Sequence, residues 1–317
     1  MTPSLSVVLA TDCFRTLRPV VAALRKQSAT DRIELVLVAP PHGLADIDEP
    51  QVAAFGRVRR IEIPGPLDLA VARAAGVRAA AAPIVFIGET HTYARPGWME
   101  ALLRAFDQRW AVVVPEIGNA NPTGAVSWAS YLSDYANWGP GRAAGEIFDP
   151  LIYNTAYRRE VLVELGDRLS EALEPLADVM RATLVQRGHR VWFEPAAKID
   201  HLNVGRFWDM VRENFFEGLL VASSRAHRWP RWRRLAYLLA SPLIPVVLVR
   251  RVVGLWRQTD ARTGLPWGTL PLIVLAALVK GTGETLGYLL GAAPRMAVAG
   301  MHEIEVHKTR FAGRRRP

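Results

Sequence analysis

Cysteine is nearly absent. The 317-residue chain has one, Cys13, which excludes an internal disulfide framework. No GxGxxG follows the first strand-like run, so the usual dinucleotide fingerprint is missing, as is a basic glycine-rich loop for a triphosphate. Long apolar runs are scarce too. Leu235 to Val249 is uncharged for fifteen residues but broken by Pro242 and Pro245, and Leu270 to Val279 gives ten before Lys280 and Glu284 intervene. A straight membrane span needs about 20 apolar residues, so these stretches suit in-plane or re-entrant helices, with a tight hairpin pairing Lys280 and Glu284 as the alternative. The opening MTPSLSVVLA lacks the basic segment and long apolar core of a secretory signal, so the globular part is expected in the cytoplasm.

What is abundant is positive charge. The formal net charge is +9 and the pI is near 10.2, which asks for an anionic partner. Much of the arginine lies beyond residue 205 beside tryptophan and apolar runs, as in RAHRWPRWRR at 225–234. Tryptophan favours the headgroup level and arginine favours anionic lipid, so a membrane surface fits better than nucleic acid. Phe207, Val211, Phe215 and Leu219 recur every four residues and mark an amphipathic helix just before that segment.

The first hundred residues alternate strand and helix. Ser6 to Ala10, Ile33 to Val38 and Val58 to Ile63 read as strands, Leu17 to Lys26 as a helix, and the alanine-rich Leu67 to Ala81 as a helix leading into Pro83 to Ile87. That order implies an α/β, doubly wound, Rossmann-like sheet. The run Ile84 to Ile87 stops at Gly88, and Glu89, Thr90 and His91 follow, at a strand's carboxyl end where open α/β sheets bind ligands. The pair is either two metal ligands or an ordinary solvated loop. Further on, residues 99–107 read as a helix, Ala111 to Val114 as a strand ended by Pro115, and 116–150 as a long irregular segment with Trp128, Tyr131, Tyr135 and Trp138. A short helix before Gly166, another from Glu174-Pro175 to Gly188, and strands at Val191 to Phe193 and Ala197 to Ile199 complete this part.

Taken in order, the opening strand with Thr11, the Ala72-Arg73 to Gly76 helix, the acidic turn before Pro96-Gly97-Trp98, the Asn154 to Arg159 segment and the Gly188-His189-Arg190 to His201 ending resemble the family 2 glycosyltransferases over residues 5–205. The resemblance implies a GT-A, nucleotide-diphospho-sugar transferase fold. It also implies a divalent metal, Mn²⁺ or Mg²⁺, held where the family has DxD. Here those positions carry Glu89 and His91, and His201 stands where the family has a histidine completing the site. The donor implied is a nucleotide-sugar, a UDP-sugar by default. Thr11, Asp12, Arg73, Gly88 and Glu89 fall on its side of the site, with Asp68 a further candidate; Asp12 and Asp68 are alternatively loop or helix-cap residues, and Arg73 a surface salt-bridge partner. The family's acidic pair after the second strand is replaced by Ala39-Pro40, so the base-reading contacts differ. Its catalytic carboxylate falls near Leu176-Ala177, which leaves Asp178 first, Glu174 second and Glu171 third, each alternatively an ordinary acid of a helix's first turn.

The expected layout is therefore a GT-A domain over 1–205, amphipathic and hydrophobic membrane-associated helices over 206–306, and a flexible basic tail over 307–317. The expected activity is inverting, metal-dependent transfer to a lipid-linked or polysaccharide acceptor of the cell envelope, at the cytoplasmic face of the membrane, with anionic lipids as partners and no nucleic acid. The competing expectation is a non-catalytic membrane scaffold that keeps the fold.

Overall fold

The computed structural model describes residues 2–148, 150–174, 179–258 and 265–313. The chain forms two compact units, residues 1–118 with 143–200 and residues 119–142 with 201–317. Residues 119–142 thus group with the C-terminal unit.

In chain order the strands are β1 (Leu5–Ala10), β2 (Ile33–Ala39), β3 (Arg57–Glu62), β4 (Ile84–Ile87), β5 (Thr92–Ala94), β6 (Val112–Asn119), β7 (Gly145–Ile147), β8 (Thr155–Arg158) and β9 (Val191–His201). They make one mixed sheet in the order β3-β2-β1-β4-β8-β6-β9-β5, with β7 on β9. The first four pair in parallel, and β8 then runs antiparallel to both β4 and β6. Every residue of β1, β2 and β4 is buried, as apolar runs covered on both faces require. β3 is the charged, half-exposed edge.

The helices of this unit are α1 (Arg18–Leu24), α2 (Glu49–Val52), α3 (Leu69–Ala79), α4 (Trp98–Phe106), α6 (Arg159–Val163), α7 (Leu169–Ala172) and α8 (Val179–Gln186), while α5 (Ala125–Tyr135) belongs to the other. Asp68 caps α3 by accepting hydrogen bonds from Ala70 N at 2.9 Å and Val71 N at 3.0 Å. Gly76 lets α3 close on the sheet, since a Cβ there would collide with Val8. Behind the site Trp98 is fully buried, edge-on to Phe86 at 4.8 Å.

Three local expectations are corrected. Pro115 does not end β6; it follows Val112 and Val113, the residues in register with β8, and proline is tolerated where the ladder does not call on its missing N–H. Residues 116–150 are not irregular, because Ala129, Tyr131 and Leu132 bury one face of α5. The two short runs after Gly188 are one strand, β9, which continues through Pro195.

The second unit is helical: α5, α9 (Phe207–Arg228), α10 (Arg231–Ala240), α11 (Ile244–Gln258), α12 (Thr269–Leu290) and α13 (Arg295–Val306). α9 and α12 meet backbone to backbone. A Cβ on Gly218 would strike the Lys280 carbonyl oxygen, and one on Gly283 the Phe215 carbonyl oxygen. The charges inside α12 are answered by α9, Lys280 by Glu217 and Glu284 by Arg225 at 3.5 Å. α10 buries none of its residues, and Trp232, Leu235, Leu239, Leu243, Val246 and Val247 stay exposed at helical spacing along α10 and α11. Arg231–Trp256 and Thr269–Leu290 are long and apolar enough to cross a membrane, by length and composition alone.

The flexible tail expected from 307 is corrected as well. Lys308 is buried, its ammonium 2.7 Å from Glu213 and 3.0 Å from Glu305, and Phe311 O accepts from Gly205 N at 2.9 Å. Residues 314–317, with the three arginines, lie outside the described residues.

Candidate active site

The site grows from the end of β4. Gly88 continues the pairing with β1 through Gly88 N to Val8 O at 3.0 Å, and a side chain there would meet Leu9. The chain then places Glu89, Thr90 and His91 indoors rather than in a solvated loop, each at most 5 % exposed. A buried carboxylate needs partners. Asn154 Nδ2 donates to Glu89 Oε2 at 2.6 Å, Thr92 Oγ1 lies 3.5 Å from the same oxygen, and His91 Nε2 stands 3.6 Å from it. Asn154 reaches this position by adopting φ of 54°, a left-handed conformation that asparagine tolerates better than most residues, and its N–H donates to Ile87 O at 2.7 Å.

His201 closes β9, the strand whose other residues all belong to the sheet unit. It brings an imidazole to the same place: one ligand atom from each of Glu89, His91 and His201 lies within 4.8 Å of the others, and all three residues are buried. Just outside, Arg95 and Asp200 form a two-pronged ion pair, with both contacts at 2.7 Å, fixing β5 after His91 to β9 before His201. Around His201 itself, Tyr135 OH is 2.9 Å from Nε2 and Asn203 Oδ1 is 3.0 Å from Nδ1.

The other candidates stand apart from that trio. Thr11 is buried and spends its hydroxyl on its own turn, bonding Cys13 O at 2.8 Å and Thr16 Oγ1 at 2.7 Å. Asp12 lies two residues beyond β1, half-buried. Asp68 is the helix cap described above. Arg73 is buried with its guanidinium 3.5 Å over the Tyr153 ring, and its Nε and Nη1 have no hydrogen-bond partner among the described residues. Glu171 makes an exposed pair with Arg168 at 3.4 Å, Glu174 follows α7 half-buried, and Asp178 lies outside the described residues. Sequence reasoning missed Asn154, Tyr135 and Asn203 as partners of the trio. The Asn154 segment was legible as a motif, but nothing in it announces a left-handed asparagine aimed at Glu89.

A parallel sheet that presents a buried acid and histidine at a strand end, then continues into antiparallel strands, is the mixed α/β arrangement of the GT-A fold. The family model described as glycosyl transferase family 2 matches residues 7–166, about half of the chain. The chain belongs to glycosyl transferase family 2 and is a glycosyltransferase. His201 and the carboxylates at 171–178 lie beyond the matched residues. No curated protein matches the chain.

Proposed function

We propose that this glycosyltransferase is inverting and metal-dependent, and that it moves a sugar from a nucleotide-diphosphate donor to a lipid-linked or polysaccharide acceptor at the cytoplasmic membrane face. The observation that carries the reading is the convergence of Glu89, His91 and His201, residues far apart in sequence, on one buried point. The donor set fits a divalent metal. It combines one carboxylate with two imidazoles, and beside Glu89 the buried Asn154 Oδ1 meets no hydrogen-bond donor among the described residues. Imidazole suits Mn²⁺ better than Mg²⁺, which prefers oxygen. When bound, the metal supplies Lewis-acid stabilisation to the departing diphosphate.

The chain's own residues supply the rest. Asn154 holds Glu89 in place for the cation. Arg73, with two N–H groups uncommitted among the described residues, suits the diphosphate as a planar donor. Thr11, Asp12 and Gly88, just beyond β1 and β4, would face the donor. In the transfer the acceptor oxygen bonds to C1 of the sugar as the bond from C1 to the diphosphate oxygen breaks. A carboxylate takes the acceptor's proton, Asp178 by preference and Glu174 next. The exposed apolar stripe of α10 and α11, flanked by arginines, supports a lipid surface as the place of work.

The test is donor turnover by detergent-extracted protein across a panel of nucleotide-sugars with Mn²⁺ or EDTA. Glu89→Ala, His91→Ala and His201→Ala should each lose at least about 100-fold, more than loss of an outer-shell partner costs. Full rates for all three variants in EDTA would sink the metal reading. No saturable binding of any nucleoside diphosphate by calorimetry would favour a scaffold.

A further inference from the structure

We infer that Asn203 is a positioning residue that fixes His201 with its proton on Nδ1, so that Nε2 is the nitrogen presented to a metal. This rests on the metal reading above. The assignment follows from backbone atoms whose roles admit no choice. Asn121 N–H donates to Asn119 Oδ1 at 3.0 Å, so that atom is an oxygen. Asn203 Nδ2 faces it at 3.0 Å and faces the His201 carbonyl at 2.9 Å, so it must be the amide nitrogen. Asn203 Oδ1 is then the atom turned to His201 Nδ1 at 3.0 Å, and an oxygen there requires a proton on Nδ1. In the neutral ring Nε2 then keeps its lone pair, to which Tyr135 OH, 2.9 Å away, can donate.

The asparagine is itself held. Asn203 N–H donates to Asn121 Oδ1 at 2.9 Å, and Asn121 Nδ2 returns bonds to Asn203 O at 2.8 Å and Ala312 O at 3.2 Å. Asn203 is 1 % exposed and His201 is 2 % exposed, so water does not substitute for either partner. A ligating histidine fixed through its other nitrogen is the usual device for setting tautomer and ring orientation. Here the device reaches from His201 through Asn203 and Asn121 to residue 312.

The experiment uses the full chain in detergent with ¹⁵N-labelled histidine, His201 being assigned by its loss in His201→Gln. Metal-free wild type should show His201 with the proton on Nδ1. Asn203→Ala should give a mixture of tautomers and bind Mn²⁺ about 10–100-fold more weakly by calorimetry. Asn203→Asp, which keeps an acceptor beside Nδ1 although it loses the two bonds from Nδ2, should keep the proton on Nδ1. Tyr135→Phe should bind Mn²⁺ no more weakly than wild type, because Nε2 no longer gives up a hydrogen bond. If Asn203→Ala retains the Nδ1 proton, or if wild type carries its proton on Nε2, the inference fails, whatever the metal result. If wild type binds no Mn²⁺ while the tautomer depends on Asn203, the metal reading fails and the positioning role stands.

Discussion

Replacing Lys308 with methionine tests whether the C-terminal segment is built into the protein. Methionine keeps most of the stem and removes the charge, so packing changes little and the loss falls on Glu213, which is left buried. Burial alone would lower the lysine's pKa, but the Glu213 and Glu305 carboxylates reverse this and hold it above the ordinary lysine value. Removing one partner of a buried pair costs about 3–5 kcal/mol. For a unit of this size each kcal/mol moves Tm by about 2–4 °C, so Lys308→Met should lower the melting temperature by roughly 10 °C. The sign of the pH dependence is fixed as well. Burial pushes the Glu213 carboxyl up even in the intact pair. Without Lys308 it rises further, the folded state takes up a proton that the unfolded state does not hold at neutral pH, and the penalty shrinks as pH falls. The measurement is thermal unfolding of the detergent-solubilised chain at pH 8 and pH 5.5. Glu213→Gln with Lys308→Met should recover more than half of the loss, since no charge is then stranded. A shift under about 2 °C at pH 8 is the response of a solvated surface lysine and would show that Lys308 is not buried against Glu213.

Two further outcomes are expected. Burial would push the Glu34 carboxyl up, but bonds from Ser6 Oγ at 2.5 Å, Ala81 N at 2.7 Å and Arg59 Nε at 2.7 Å outweigh it and hold its pKa below the ordinary glutamate value of 4.5. Its contribution is therefore complete above pH 4.5 and lost as pH falls through the folded value; urea unfolding of Glu34→Gln should show about 2–3 kcal/mol less stability at pH 7 and a flatter slope below 4.5, and an unchanged slope would contradict the bond set. On the membrane side, Trp232→Glu with Leu239→Glu should cut binding to vesicles of mixed neutral and anionic lipid by at least about 100-fold, because each exposed side chain contributes roughly 1.5–3 kcal/mol when buried in lipid; equal co-sedimentation of variant and wild type would remove that face from the docking surface.

The parallel half of the sheet was legible because its strands are continuous apolar runs and its helices alternate with them, patterns that chemistry alone imposes. The amphipathic α9 was legible for the same reason. The antiparallel strand β8 was not, because its pairing with β4 is decided by a partner about 70 residues away rather than by its own composition. The 119–142 segment escaped for a related reason, since Tyr131 and Leu132 only become a buried face once the C-terminal helices stand against α5.

At the site the division is equally physical. That an acid and a histidine follow β4 and that another histidine ends the last strand could be read from residue order, because strand ends and apolar runs are local properties. Packing across the chain is what brings these three within 4.8 Å, turns Asn154 left-handed to hold Glu89, and buries Lys308, set in a run that reads as a solvated basic tail, against two carboxylates. Those outcomes depend on which surfaces exclude water, and a residue's exposure is fixed by chain that lies far from it in sequence.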